Sequence, residues 1–147
     1  MKKAKERRLW LRRGEISIRL PSSLEYIPLL REIGERVGFF LGMPEEKIHA
    51  LKLILEESAT NVVRHSLGED KGLFYEVIFH PKEKGIKIII KDKGKGTRKL
   101  SPIPLDEVIE KEREGGLGLR MLEKLTENVT FRKRGKTNEL TLEVAWD

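Results

Sequence analysis

Residues 55–65 read LEESATNVVRH, a stretch in which Glu57, Asn61 and either Arg64 or His65 follow one another at spacings of three or four residues. An α-helix turns once in about 3.6 residues, so these side chains share one face of the predicted helix. That face differs from the apolar stripe of the same helix. A carboxylate, an amide and a cation in a row also occur on ordinary solvated helix faces, so this stretch alone leaves both interpretations open.

A second cluster, DKGKG at residues 92–96, follows an isoleucine-rich strand. Asp92 continues the alternation of Ile86, Ile88 and Ile90, so we expect its side chain to point toward the core. A buried carboxylate is costly unless it accepts hydrogen bonds. The two glycines let the backbone turn sharply and approach a ligand closely. A plain turn is the alternative for this pattern.

A third cluster, GGLGL at residues 115–119, begins a predicted helix. Small residues before a helix N-terminus leave backbone amides free to face a phosphate, and the helix dipole favours the negative charge. A hinge that ends the long polar segment 93–115 is the alternative. Each cluster alone is ambiguous, but the three in this order, separated by a segment of lid length, are together a strong functional signal.

Periodicity and turn residues predict the remaining elements. The first strand ends at Pro21, and Ser22 with Glu25 matches a capping box before a helix. Pro28 either kinks that helix or marks its first turn. The order predicts an α+β two-layer sandwich, in which a mixed, mostly antiparallel sheet carries its helices on one face. We expect strands at residues 15–20, 73–80, 86–92, 129–133 and 139–146, helices over about 24–37, 44–66 and 117–126, a hairpin connection at 81–85 and a turn at 134–137.

The basic charge lies in an N-terminal arm. The chain of 147 residues carries 30 Lys and Arg against 24 Asp and Glu, a formal charge of +6. Residues 1–13 alone hold seven bases and one acid, also +6, so residues 14–147 are neutral. A folded nucleic-acid-binding face would be basic throughout. We therefore expect one domain over 14–147 with no direct nucleic-acid contact, after an arm that is either a solvated tail or a binding segment.

Residue usage excludes several classes of site. The absence of cysteine removes disulfides, thiolate metal sites and cysteine nucleophiles. No apolar run approaches the roughly 20 residues of a membrane span, and no apolar stretch follows the basic start as in a signal peptide. The sequence predicts a soluble cytoplasmic protein without membrane contact.

The three clusters resemble the motifs of the GHKL ATPase superfamily. Asn61 falls at the asparagine of the N box, residues 92–96 match the first glycine box and residues 116–119 match the second. Within the superfamily, the chain looks most like the small bacterial anti-sigma-factor serine/threonine kinases, because Glu57, Asn61 and His65 reproduce their E-x-x-x-N-x-x-x-H pattern. The resemblance covers about residues 14–146 and implies the GHKL (Bergerat) ATPase fold.

The resemblance also implies site roles, with ATP and Mg²⁺ as cofactors. Asn61 is then the magnesium ligand, Glu57 the general base, and Asp92 the acceptor of a hydrogen bond from the adenine amine. Asn138 stands where the family often has threonine, and Arg113 lies one residue before the usual place of a lid arginine. The implied nucleotide contacts are Asn61, Arg64, His65, Asp92, Gly94, Gly96, Arg113, Gly115, Gly116, Leu117, Gly118, Leu119 and Asn138.

The function implied by the resemblance is that of an ATP-dependent serine/threonine protein kinase and anti-sigma factor. Such a protein binds a sigma factor, phosphorylates an anti-anti-sigma (STAS-type) partner and pairs as a homodimer, with residues 93–115 as the ATP lid. A non-catalytic, nucleotide-gated binding module that regulates a protein partner is the alternative.

Overall fold

The computed structural model describes residues 14–96 and 126–146. In these two ranges five strands form one sheet, and two helices pack against it through a shared apolar core. The arm 1–13 and the segment 97–125 lie outside the described residues. That segment includes the second glycine box at 116–119 and, apart from Thr126, the helix predicted over 117–126. The strands are β1 (Ile16–Pro21), β2 (Phe74–Lys82), β3 (Gly85–Asp92), β4 (Asn128–Arg134) and β5 (Thr137–Ala145), and the helices are α1 (Ile27–Leu41) and α2 (Glu45–Asn61).

The sheet has the strand order β1-β2-β3-β5-β4. All four described pairings are antiparallel. Alternation along β3 places Ile86, Ile88, Ile90 and Asp92 on the buried face, while the side chains between them are more exposed. The α+β fold expected from the sequence is confirmed. The described strands form an antiparallel sheet, without the parallel pair that the expected mixed sheet would contain.

Both helices bury one apolar stripe against this face of the sheet. Leu30 of α1 and Leu51, Ile54 and Leu55 of α2 are fully buried beside strand residues such as Phe79. Burial of such a side chain contributes about 1.5–3 kcal/mol each, which is the main source of stability in a layer of this kind. Among the described residues, neither helix has the length and apolar content needed to cross a bilayer.

The start of the first helix settles the role of Pro28, which the sequence left open, and corrects the predicted helix cap. Pro28 lies in the first turn of α1, where its missing amide costs nothing, so it does not kink the helix. The capping box predicted at Ser22 is wrong, because Ser23 caps a short 3₁₀ turn over Leu24–Tyr26 and accepts a hydrogen bond from the Glu25 amide at 3.4 Å. Ser22 is instead fully buried.

The hairpins are tighter than expected. Lys82 pairs with Gly85, so the β2–β3 connection is two residues long, and Lys84 takes a positive φ of 55°. Likewise β5 begins at Thr137 rather than at residue 139. This earlier start places Asn138 within the strand, directly across from Asp92.

Candidate functional site

Glu57 and Asn61 lie one turn apart at the C-terminal end of α2, and both are half-buried. The helix continues into a π turn over Val62–Ser66, in which the Leu67 amide donates to the Val62 carbonyl five residues earlier at 2.8 Å. A π turn is wider than an α turn, so the α-helical spacing that aligned Arg64 and His65 with Asn61 no longer applies. Both of these side chains are exposed.

The carboxyl of Glu57 has its pKa raised above the ordinary value of 4.5. Burial is the largest cause and the neighbouring charge of Glu56 adds to it, whereas the charge of Arg64 acts in the opposite direction. A carboxyl group with a raised pKa holds its proton more tightly, so its carboxylate form is a stronger base. The end of α2 therefore holds a basic carboxylate one turn from an amide oxygen that is suited to a hard cation.

Asp92 ends β3 and is buried, with 6% of its surface exposed. Its Oδ1 accepts three hydrogen bonds, from the Ser66 hydroxyl, from the Gly94 amide at 2.8 Å and from Asn138 Nδ2 at 3.1 Å. Within the described ranges no hydrogen bond reaches Oδ2. The predicted burial of Asp92 is confirmed, and its cost is met by these three donors.

Asn138 joins the same cluster from the neighbouring strand. Its Nδ2 also donates to the Gly94 carbonyl at 2.9 Å. Its Oδ1 is buried and has no hydrogen-bond partner among residues 14–96 and 126–146. Gly96, with φ of +91°, lies against this oxygen, since a Cβ placed there would come within 3.1 Å of it. Two acceptor oxygens, one on Asp92 and one on Asn138, are thus left without a described donor.

Ser66 is the member of the cluster that the sequence did not reveal. Besides donating to Asp92, its hydroxyl accepts from the Gly96 amide at 2.9 Å, and its carbonyl accepts from the Lys95 amide at 3.0 Å. It is therefore the link between the end of the helix and the loop after β3. One signal pointed to it: a carboxylate expected to be buried needs donors, and Ser66 is a hydroxyl at the end of the motif helix.

Tyr75 pairs with Asp92 across β2 and β3, and only 2% of its surface is exposed. Its hydroxyl has no described hydrogen-bond partner, and burial raises the pKa of Tyr75 to about 12. The phenol is therefore neutral over the whole physiological range. A groove of about 660 Å³ lies beside it and includes Leu67 and Lys93 but neither Glu57 nor Asn61.

The structure explains the glycine at position 94 differently from the sequence. A Cβ at this position would overlap the backbone carbonyl of Ser66, so the residue must be glycine for the loop to pack against the helix end. The sequence had suggested that the glycine allows a ligand to approach. In the described residues the group that approaches is Ser66.

This close packing predicts the effect of Gly94→Ala. We expect the substitution to lower the free energy of unfolding by about 1–3 kcal/mol, because backbone atoms on both sides must move to admit one methyl group. Chemical denaturation of the full chain measures it. Gly14→Ala is the matched control, since a Cβ there meets nothing within 4 Å. Equal stability of the two variants would contradict the packing argument.

The structure thus brings together Asp92, Gly94, Gly96 and Asn138 around Ser66, and this cluster adjoins the helix end that carries Glu57 and Asn61. Arg64 and His65 lie on the π turn between them. The described residues hold no cluster of three or more His, Cys, Asp or Glu side chains able to bind a metal by themselves. The predicted contacts outside the described residues are Arg113, Gly115, Gly116, Leu117, Gly118 and Leu119.

Comparisons with known proteins identify the family of this chain. The family model of the histidine kinase-like ATPase domain matches residues 20–144. The serine-protein kinase RsbW of Staphylococcus aureus is 34% identical over 134 residues, which is 86% of this chain and 84% of the relative.

Two solved structures share the fold. The RsbU and RsbW domains of Rv1364c from Mycobacterium tuberculosis match with a TM-score of 0.61 and 14% identity, covering 90% of this chain and 32% of that longer one. A chain of the SiaB–SiaC complex from Pseudomonas aeruginosa matches with a TM-score of 0.61 and 11% identity, covering 99% and 98% of the two chains. With most of its length matched by the family model and by a kinase at 34% identity, the chain belongs to the histidine kinase-like ATPase domain family and is a homologue of the serine-protein kinase RsbW.

Proposed function

We propose that this protein is an ATP-dependent serine/threonine protein kinase that acts as an anti-sigma factor. It binds a sigma factor and phosphorylates a serine or threonine of an anti-anti-sigma (STAS-type) partner. Membership of the ATPase family and homology to a serine-protein kinase support the activity. The observation that carries the proposal is Glu57, a half-buried carboxylate with a raised pKa one helical turn before Asn61.

The cluster at the end of β3 fits the adenine base of ATP. Asp92 offers Oδ2 as an acceptor in a fixed orientation, because Oδ1 is held by three donors. The exocyclic amine of adenine is a donor, whereas guanine carries a carbonyl oxygen at the same place. Asn138 Oδ1, which has no hydrogen-bond partner among the described residues, is a second acceptor close by. An acceptor-rich, buried corner of this kind favours adenine.

The helix end fits Mg²⁺ with the phosphates. The described residues hold no carboxylate cluster for a fully protein-bound ion, but Mg²⁺ commonly takes one or two protein oxygens together with phosphates and water. Asn61 would hold it through its side-chain oxygen. When bound, Mg²⁺ supplies charge neutralisation on the transferring phosphate. Arg64 and His65, on the following π turn, are the candidate phosphate or ribose contacts from this element.

Glu57 performs the proton transfer in this proposal. Its carboxylate would accept the proton of the partner's serine hydroxyl while that oxygen attacks the γ-phosphorus of ATP. The bond from the γ-phosphorus to the β–γ bridging oxygen breaks in the same step, and ADP is the leaving group. Phosphoryl transfer needs little further covalent help, because positioning and charge stabilisation account for most of the rate. Partial burial keeps Glu57 from being fully solvated and so raises its basicity.

The assembly and location follow the same proposal. We infer a cytoplasmic homodimer, with the sheet face opposite the helices as the interface between its protomers. That face carries charged side chains on β2, β3 and β5 together with Ile89, which is half-buried. Residues 93–115 serve as the ATP lid and residues 1–13 as an arm outside the kinase domain.

Copurification from the native host, followed by phosphoryl transfer, tests the proposal. The chain is expected to bring down a sigma factor and a STAS-type protein, and radiolabel from ATP should appear on a serine or threonine of the latter. Association that depends on ATP without any transfer of label would instead support the nucleotide-gated binding module. Failure to bind ATP would reject both functions.

The raised pKa of Glu57 predicts how the rate of phosphoryl transfer falls at acid pH. The base works only when deprotonated, so kcat/KM for transfer to the copurified partner should fall as the pH drops through this pKa. Because the pKa lies above 4.5, the fall occurs at a higher pH than an unperturbed glutamate would give. The residual transfer of Glu57→Gln should lack this fall. A profile of the wild-type protein that is flat down to pH 4.5 would contradict the assignment.

A further inference from the structure

Ser66 stands at the one described point where the helix end that carries Glu57 and Asn61 is hydrogen-bonded to the loop after Asp92. We propose that Ser66 is a positioning residue that sets the preference of the site for adenine, by fixing the orientation of the Asp92 carboxylate. This inference rests on the proposed ATP-dependent function and adds a residue to which neither the motifs nor the relatives assign a role.

The hydrogen-bond directions at Ser66 are determined by counting protons. A serine hydroxyl has one proton to donate and two lone pairs to accept. The Gly96 amide donates to the Ser66 oxygen at 2.9 Å, and the carboxylate of Asp92 has no proton to offer when ionised. The hydroxyl proton therefore points to Asp92 Oδ1. Ser66 is only 5% exposed, so water does not compete freely for this proton.

The three donors on Asp92 come from three different parts of the chain. The Gly94 amide donates from the loop and Asn138 Nδ2 donates from β5. These two residues are also linked directly, because Asn138 Nδ2 donates to the Gly94 carbonyl. Ser66 is the donor that ties the carboxylate to the helix layer. With Ser66 in place, Oδ1 faces the helix end and Oδ2 is the oxygen left for the base. Without it, Oδ1 keeps only the donors of Gly94 and Asn138, so the carboxylate can tilt away from the helix end and the acceptor becomes more mobile.

A movable acceptor discriminates less well between purines. Adenine presents a donor to Asp92 and guanine presents an acceptor, so the preference depends on holding the oxygen where the amine lies. We expect Ser66→Ala to weaken ADP binding about tenfold, the effect of losing roughly one hydrogen bond, with little change for GDP. The ADP:GDP affinity ratio should therefore fall about tenfold as well.

The test is calorimetric titration of the full-length chain with Mg·ADP and Mg·GDP. Ser58→Ala is the matched control, because Ser58 is a fully buried serine on the same helix whose hydroxyl has no described partner. The control should keep the wild-type ratio. Ser66→Cys preserves the side-chain shape with a weaker donor, and it should give an intermediate ratio; it decides the question where the alanine variant does not fold.

A double-substitution cycle separates positioning from a general structural role. In an Asp92→Ala background there is no carboxylate to orient, so adding Ser66→Ala should leave the remaining ADP:GDP ratio unchanged. The inference would be overturned if Ser66→Ala kept the wild-type ADP:GDP ratio, or if Ser66→Cys kept it where the alanine variant does not fold. It would also be overturned if Ser66→Ala changed the ratio just as much in the absence of Asp92. Neither result touches the proposed function, which fails separately if the wild-type chain binds no ADP.

Discussion

Glu57→Gln is expected to slow phosphoryl transfer to the partner by about 10²–10⁴-fold while ATP still binds. Glutamine keeps the size and hydrogen-bonding reach of the side chain but cannot take a proton from the attacking hydroxyl. Since burial already disfavours the charged form of Glu57, the neutral replacement should not destabilise the fold. Single-turnover transfer of radiolabel and calorimetric titration with ATP measure the two effects separately.

The control for this variant is the adjacent residue. Glu56→Gln makes the same change of charge one position away, where the carboxylate lies 3.7 Å from the guanidinium of Arg31 on a partly exposed face. That ion pair contributes at most about 1 kcal/mol to stability, and no step of the transfer uses it. Because the charge of Glu56 makes only the smaller contribution to the raised pKa of Glu57, Glu56→Gln should change the rate far less than Glu57→Gln does. Near-wild-type transfer by Glu57→Gln would remove Glu57 from the mechanism.

The sheet was the most predictable part of the molecule. The parity of Ile86, Ile88 and Ile90 in an isoleucine-rich strand predicted the inward direction of Asp92, because successive side chains of a strand point to opposite faces. The burial of Asp92 at 6% confirms this direct reading. The sequence left the position of Pro28 open, and the structure places it in the first helical turn, where proline fits without losing a hydrogen bond.

Contacts between distant residues were less predictable. Ser66 and Asp92 are 26 residues apart, and Asn138 and Asp92 are 46 apart, so no local pattern records either contact. The π turn that carries Ser66 is a further obstacle, because a prediction made with α-helical spacing places the side chains after Asn61 incorrectly. The sequence therefore predicts candidate residues for the chemistry, and the structure adds Ser66, which is hydrogen-bonded to Asp92.

The largest expected change in nucleotide preference follows from Asp92→Asn. Three donors already converge on Oδ1, so an asparagine at this position must place its oxygen there and turn its amide nitrogen toward the base. A donor then meets the adenine amine, which is also a donor, whereas the guanine carbonyl gains a partner. We expect ADP affinity to fall about 100-fold, corresponding to roughly 2.7 kcal/mol, and GDP affinity to rise, so that the preference inverts.

Competition binding with Mg·ADP and Mg·GDP measures this inversion. Asp70→Asn is the control, because it removes the same charge from an exposed turn where Asp70 Oδ1 accepts only the Gly72 amide at 2.9 Å. It should leave both affinities at the wild-type level. Loss of ADP binding with no gain for GDP would mean that the amide does not adopt the orientation which the three donors impose. An unchanged preference would show that Asp92 does not read the base.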